Sequence, residues 1–256
     1  MSSSSLEVVE TRARTRYDSC LVLNKNDIPY VVWFEDAIRH YGVPTVQFNL
    51  YILAQDIDIA AECLIRAGWI VDTKSPHQVG GADIQTPQVP VFSPNQKTKT
   101  VLLPASDWKF ALTAETSLLR VPLRDESPEL TVSFPPLPGL LDALIESWLD
   151  GRNDDPTLLL HLACQINYLY EYTPDLKERS FAEKLKLEHR QFHLDVISGM
   201  ASSTILFRKH VCGIRLSLLQ GRYELQHCSA PRDNLDLFDP WAGVFRPPPV
   251  ASQSVE

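Results

Sequence analysis

Residues 28–34, IPYVVWF, are apolar at every position and mostly β-branched or aromatic. Such a run reads as a strand buried on both faces, because a half-exposed strand would alternate and an amphipathic helix would show a polar stripe. A strand of that kind needs other strands beside it and cover above and below, and the residues that follow are suited to supply both. EDAIRHYG (35–42) reads as a short helix with Glu35 and Asp36 in its first turn, where the helix dipole favours acids, and Gly42 just past its end. VQFNLYIL (46–53) is the next strand. DIDIAAECLIRAG (56–68) is an amphipathic helix with Ile57, Ala60, Ala61, Leu64 and Ile65 on one stripe and Gly68 as its stop. Strand, helix, strand, helix is thus the opening unit.

Beyond it, WIVD (69–72) is a third strand, and residues 73–98, rich in Pro, Gly, Gln and Ser, read as a long irregular excursion of the kind that forms binding loops or lids or else is disordered. TVLLPA (100–105) and LTVSF (130–134) are further strands joined by a polar connection. From there the periodicity turns helical. Residues 137–150, 155–172, 175–200 and 202–221 all carry it, with starts such as Asp-Pro and Ser-Ser. The domain reading is a mobile N-terminal arm over 1–16, a core over 17–135, a helical bundle over 136–229 and a Pro-rich tail over 230–256, in which Leu237, Phe238, Trp241 and Phe245 are placed to pack across a groove.

The composition excludes several classes. With 44% apolar and 22% charged residues among 256, the chain can bury a substantial core. No run approaches the roughly 18–20 apolar residues of a membrane span, and MSSSSLEVVE lacks the order of a secretory signal, so a cytoplasmic protein without membrane partners is expected. A net charge of −8 with scattered basic residues argues against nucleic acid as a partner. Cys20, Cys63, Cys164, Cys212 and Cys228 are too far apart for a C-x-x-C pair and read as reduced thiols. The sequence carries no G-x-S-x-G elbow, P-loop or G-x-G-x-x-G.

YVVWFEDAIRHYGVPTVQFNLYIL resembles the opening of the nucleotidyltransferase fold, the superfamily of DNA polymerase β-like and antibiotic-modifying enzymes, over residues 28 to 70. It looks closest to uncharacterised fungal proteins of this fold, in which a helix like PLPGLLDALIESWLD occurs. The resemblance implies an α+β fold: a nucleotidyltransferase-like mixed β-sheet with flanking helices, followed by a C-terminal helical bundle. It also implies a site. In that family a strand ends in Gly-Gly or Gly-Ser, so that backbone amides can approach a triphosphate. The next strand then carries Asp-x-Asp, two carboxylates on one face that hold magnesium, and a later strand adds a third acid.

This chain departs from all three requirements. Phe34, Glu35 and Asp36 stand at the glycine positions, where a ring and two negative charges would repel phosphate. Asn49 and Tyr51 stand at the carboxylate positions; an amide is a poor magnesium ligand, and a phenol with a pKa near ~10 stays neutral. TVLLPA offers no acid. No one-residue shift restores the pair, and Asp56 and Asp58 read as helix N-capping residues. The expectation is therefore a cleft without metal or cofactor, in which Trp33, Phe34 and Tyr41 shape a binding surface for a small apolar organic metabolite. Asn49, Tyr51, His40, Glu35 or Asp36 would supply hydrogen bonds or one proton transfer. Such a site would suit cofactor-independent cyclisation, Diels-Alder-type cycloaddition or isomerisation in fungal secondary metabolism. The alternatives are a non-catalytic pseudo-nucleotidyltransferase that binds a protein partner, or a residual magnesium-dependent enzyme. Self-association into a homo-oligomer is compatible with either.

Other groups read more plainly. His189 and His193, four apart, share a helix face and have zinc spacing, but without the H-E-x-x-H base they read as part of a charged surface with Glu188 and Asp195. Tyr168, Tyr170 and Tyr172 read as bundle core, and Gln165 and Asn167 within that helix each need a partner if buried.

Overall fold

The computed structural model describes residues 16–74, 76–93, 98–123, 131–150, 155–231 and 233–240. The fold is α+β with a mixed sheet. Helix α1 (Asp18–Lys25) precedes strand β1 (Tyr30–Trp33), helix α2 (Phe34–His40), strand β2 (Leu50–Ala54) and helix α3 (Ile57–Arg66). Strands β3 (Ile70–Val71), β4 (Gln78–Val79), β5 (Ala82–Asp83), β6 (Val89–Phe92), β7 (Thr100–Pro104), β8 (Leu119–Pro122) and β9 (Thr131–Phe134) follow. The main sheet runs β1-β2-β7-β6-β3. Within it β1 is antiparallel to β2, β2 is parallel to β7, and β6 is antiparallel to both β7 and β3.

Every residue of β1 and of β2 is buried, as the uninterrupted apolar runs require. Alternation divides them. Tyr30, Val32, Leu50, Ile52, Ala54 and Leu102 pack with Cys20 and Leu23 of α1 and with Ala60 and Leu64 of α3, while Val31, Trp33, Tyr51 and Leu53 occupy the opposite parity. Asp56 caps α3, its side chain accepting from the amides of Asp58 and Ile59. Cys63 joins the buried stripe of that helix in place of Ile65, which is exposed.

Three sequence expectations need correction here. The 73–98 excursion is not wholly irregular: it contributes β4 and β5, closed by Gly80 and Gly81 at positive φ, and then β6, an internal strand of the main sheet. The polar connection before β9 contains β8, which pairs with it. Asn49 lies one residue before β2 and not within it.

By compactness the chain divides into two units, one running to Val79 and from Asp83 to Leu137, the other comprising Gly80–Ala82 and the chain from Pro138 onward. The second unit holds α4 (Leu137–Leu149), α5 (Pro156–Tyr172), α6 (Leu187–Ile197), α7 (Ile205–Leu219) and the short α8 (Leu235–Phe238). Its core is built around Trp148, Phe192 and Phe207, with the last two ring centroids 5.3 Å apart. Asp155 caps α5 and Thr204, rather than the Ser-Ser before it, caps α7. The helix expected over 175–200 is continuous only in α6; before it stand two 3-10 turns, Pro174–Lys177 and Arg179–Lys184. The reason is geometric. At about 100° per residue, Leu176, Phe181 and Leu185 would spread over about half the circumference of one α-helix, and the 3-10 turns with an extended Leu185 bury all three.

No helix among the described residues is long and apolar enough to cross a membrane. The five cysteines are free thiols, two of them buried. The expectations for residues 1–15 and for Trp241 and Phe245 lie outside the described residues.

Candidate functional site

The corner between β1 and α2 is where the resemblance places phosphate and metal. Here the chain turns directly from strand to helix at Phe34, whose φ is +51. That left-handed region favours glycine and is a genuine outlier for a bulky residue. The Phe34 ring is fully buried, edge-on to Tyr51 at 5.2 Å and to Trp108 at 4.9 Å. Trp33 packs on Phe110 at 5.3 Å. The volume at this corner is therefore occupied by side chains of the protein itself.

Asp36, two residues into the helix, is buried and fully engaged. Arg16 grips both its oxygens, Nε to Oδ1 at 2.8 Å and Nη2 to Oδ2 at 2.7 Å, while Tyr17 donates its hydroxyl at 2.9 Å and Gln47 its amide at 2.5 Å. The same guanidinium donates to the carbonyls of Phe48 and Asn49, tying the approach to β2 against α2. Burial, with the Asp36 charge and hydrogen bond adding, pushes the Tyr17 phenol well up, so it stays a donor. Glu35 is pushed up to about 7, chiefly by burial; its own backbone amide and Arg16 oppose this and Asp36 adds to it.

The structure thus brings Trp33, Phe34 and Tyr51 together and sets Asp36 and the Asn49 carbonyl around Arg16. His40 and Tyr41 go elsewhere. At the far end of α2, His40 stacks on Phe134 at 4.6 Å, and Tyr41 donates its hydroxyl to the Pro135 carbonyl at 2.6 Å. Partial burial against Phe134 holds the His40 imidazole below its ordinary value, and burial of its own ring pushes the Tyr41 phenol well up. Arg16, Gln47, Trp108 and Phe110 complete the corner, and local sequence carries no signal for them.

At the opposite end of β1 a hollow of about 280 Å³ opens between the α1–β1 turn and the segment before β8. Its lining is mixed, with Ile28, Pro29, Leu112 and Leu118 beside the polar residues Asn24, Asp27, Thr113, Thr116, Arg120 and Ser133.

In the second unit, His189 and His193 are wholly buried rather than surface groups. His193 donates from Nε2 to the Glu178 carbonyl at 3.1 Å and accepts from Tyr170 at 3.0 Å; burial lowers its pKa, in keeping with a neutral ring. Tyr170 is core, whereas Tyr168 and Tyr172 are exposed. Asn167 accepts from Ser202, and Gln165 lies beside His161. Asp195 is buried with Gln191 and Ser229 on its oxygens, and the Ser229 hydroxyl is in turn 2.7 Å from His210 Nε2.

No protein-family model matches the chain, and no curated protein matches it. Among solved structures, JHP933 from Helicobacter pylori is 11% identical, with a TM-score of 0.38 over 81% of this chain and 90% of that one. A candidate nucleotidyltransferase from H. pylori is 12% identical, with a TM-score of 0.38 over 83% and 95%. The likeness to fungal proteins rests on the sequence resemblance alone.

Proposed function

We propose that this chain is a small-molecule-binding protein on a degenerate nucleotidyltransferase-like fold and that it does not perform metal-dependent nucleotidyl transfer at the β1–α2 corner. Phe34 carries the proposal. It keeps the left-handed backbone that suits the glycine of the nucleotidyltransferase pattern, yet places a buried ring where a triphosphate would need open space. The carboxylate positions beside it hold Asn49, which offers its carbonyl to Arg16, and Tyr51, which is packed against Phe34.

A ligand would then bind at the hollow beside Tyr30. Its apolar residues suit the body of a compact organic molecule, and Asp27 and Arg120 among its polar ones can orient a polar group. Any cofactor-independent cyclisation, cycloaddition or isomerisation of such a ligand would take place there and not among the packed rings of the corner.

A thermal-shift panel tests this. Magnesium with each nucleoside triphosphate should leave the melting temperature unchanged, and a mainly apolar ring compound that binds at saturation should raise it by several degrees. Ala114→Trp, at the wall of the hollow, should remove that rise and Tyr51→Phe should not. A magnesium-dependent rise with a nucleotide would overturn the proposal.

A further inference from the structure

Helices α4, α6 and α7 converge on ionisable groups that the preceding proposal does not use. His189 on α6 is wholly buried between two carboxylates of α4, with Nδ1 2.7 Å from Asp142 Oδ1 and Nε2 3.0 Å from Glu146 Oε2. Each of those carboxylates is fixed from outside. The backbone amide of Lys186 donates to both oxygens of Asp142 at 3.2 Å, and Arg215 on α7 donates to Glu146 Oε1 at 2.5 Å. Glu188, half-buried, brings a further carboxylate: ligand atoms of Glu146, Glu188 and His189 all lie within 4.8 Å of one another.

Charge and geometry agree on what this group suits. Three carboxylates face one imidazole and one guanidinium, so the group is net negative even with the imidazole protonated. Cys212, on α7, has its thiol pushed up mainly by burial and stays neutral, and Arg208 is engaged on the carbonyls of Trp148 and Asp150. Asp142 sits on the Nδ1 side of the ring. A carboxylate there holds the Nδ1 proton in place, so that Nε2 presents a lone pair once the proton it shares with Glu146 leaves, the outer arrangement that metal-binding histidines use. Arg215 orients Glu146 in the same way from its other oxygen.

We propose that Glu146, Glu188 and His189 bind one divalent first-row transition ion, of which zinc is the best match to one imidazole nitrogen and two carboxylate oxygens. The ion takes the place of the proton between Nε2 and Glu146, and that proton is released to solvent. Three protein ligands leave a fourth position for water or a small ligand. Magnesium, which prefers an all-oxygen shell, is discriminated against by the imidazole.

Isothermal titration of zinc chloride into the untagged full chain, after treatment with a chelator, tests the site. One zinc per chain is expected, with a rise in melting temperature that magnesium at the same concentration does not produce. Glu188→Gln is the decisive variant, because Glu188 makes no ion pair among the described residues and its loss leaves the His189 network in place; it should weaken zinc at least about tenfold. Asp142→Asn should weaken it similarly, and His189→Gln should abolish it. No zinc binding, or zinc binding of unchanged affinity in Glu188→Gln, would overturn the proposal, the second result placing the ion at other groups such as the cysteines. If His189→Gln fails to fold, Glu188→Gln still decides.

Discussion

Phe34 stands perpendicular to Tyr51, ring centroids 5.2 Å apart, and holds that contact from a backbone at φ +51. Two effects are opposed at this residue. The buried ring contributes packing worth about 3 kcal/mol or more, while a left-handed conformation costs a residue with a Cβ about 1–2 kcal/mol. Phe34→Ala should therefore destabilise by about 3 kcal/mol. Phe34→Gly should destabilise by less, reversing the usual order of alanine and glycine, because only glycine relieves the backbone. Urea unfolding of the two variants checks this, and an alanine variant more stable than the glycine variant would contradict it.

Arg16 and Asp36 form a bidentate pair whose acid is fully buried. Removing one partner of such a pair leaves the other charge without compensation, which costs about 3–5 kcal/mol. Tyr17 and Gln47 still reach Asp36, so Arg16→Ala should cost about 3 kcal/mol, the low end of that range. Combining it with Asp36→Asn should recover part of the loss. Urea unfolding of the single and double variants checks this, and an Arg16→Ala chain as stable as the natural one would refute the role given to Arg16.

How much of this was legible in sequence depended on the range of the interaction. Strands β1 and β2 were visible because a run of apolar residues needs no knowledge of its partner, and Asp56 was visible as a cap because its bonds reach only two and three residues ahead. Strand β6 was hidden by Pro90: proline within a run argues for an edge or a loop, yet this strand lies between β7 and β3. At the corner, the lack of the pattern's glycines and of its Asp-x-Asp pair could be read directly. That the corner is closed could not, since Trp108 and Phe110 lie more than seventy residues downstream of Phe34. The pair His189 and His193 shows the limit of helical spacing. They are one turn apart on α6, but one meets two carboxylates of α4 and the other a tyrosine of α5 and a carbonyl.

Two side chains close the N-termini of long helices in the second unit. Asp155 accepts from the amides of Thr157 and Leu158 at 2.8 and 2.9 Å, and Thr204 accepts from Phe207 at 3.1 Å. Replacing either cap by alanine should cost about 1 kcal/mol, and the double variant about twice that, because the caps belong to different helices and share no partner. Thermal and urea unfolding of the three variants would show it. A clear departure from additivity would mean that the two helix ends are coupled.

Glu35 makes the stability of the chain depend on pH in a direction opposite to that of most acids. Its carboxyl is raised from 4.5 to about 7, mainly by burial. The folded state therefore holds the proton more tightly than the unfolded state, and between about pH 4.5 and 7 unfolding releases it. With more protons bound when folded, stability falls as pH rises through that window and does not fall further on this account above it. Each unit is worth about 1.4 kcal/mol, so the loss reaches up to about 3 kcal/mol. Glu35→Gln cannot titrate and should lack it. The stability of the variant relative to the natural chain should then climb from about pH 4.5 to 7 and level off. A difference that stays flat across that range would show that the Glu35 carboxyl is solvated and that the corner is more open than its packed rings imply.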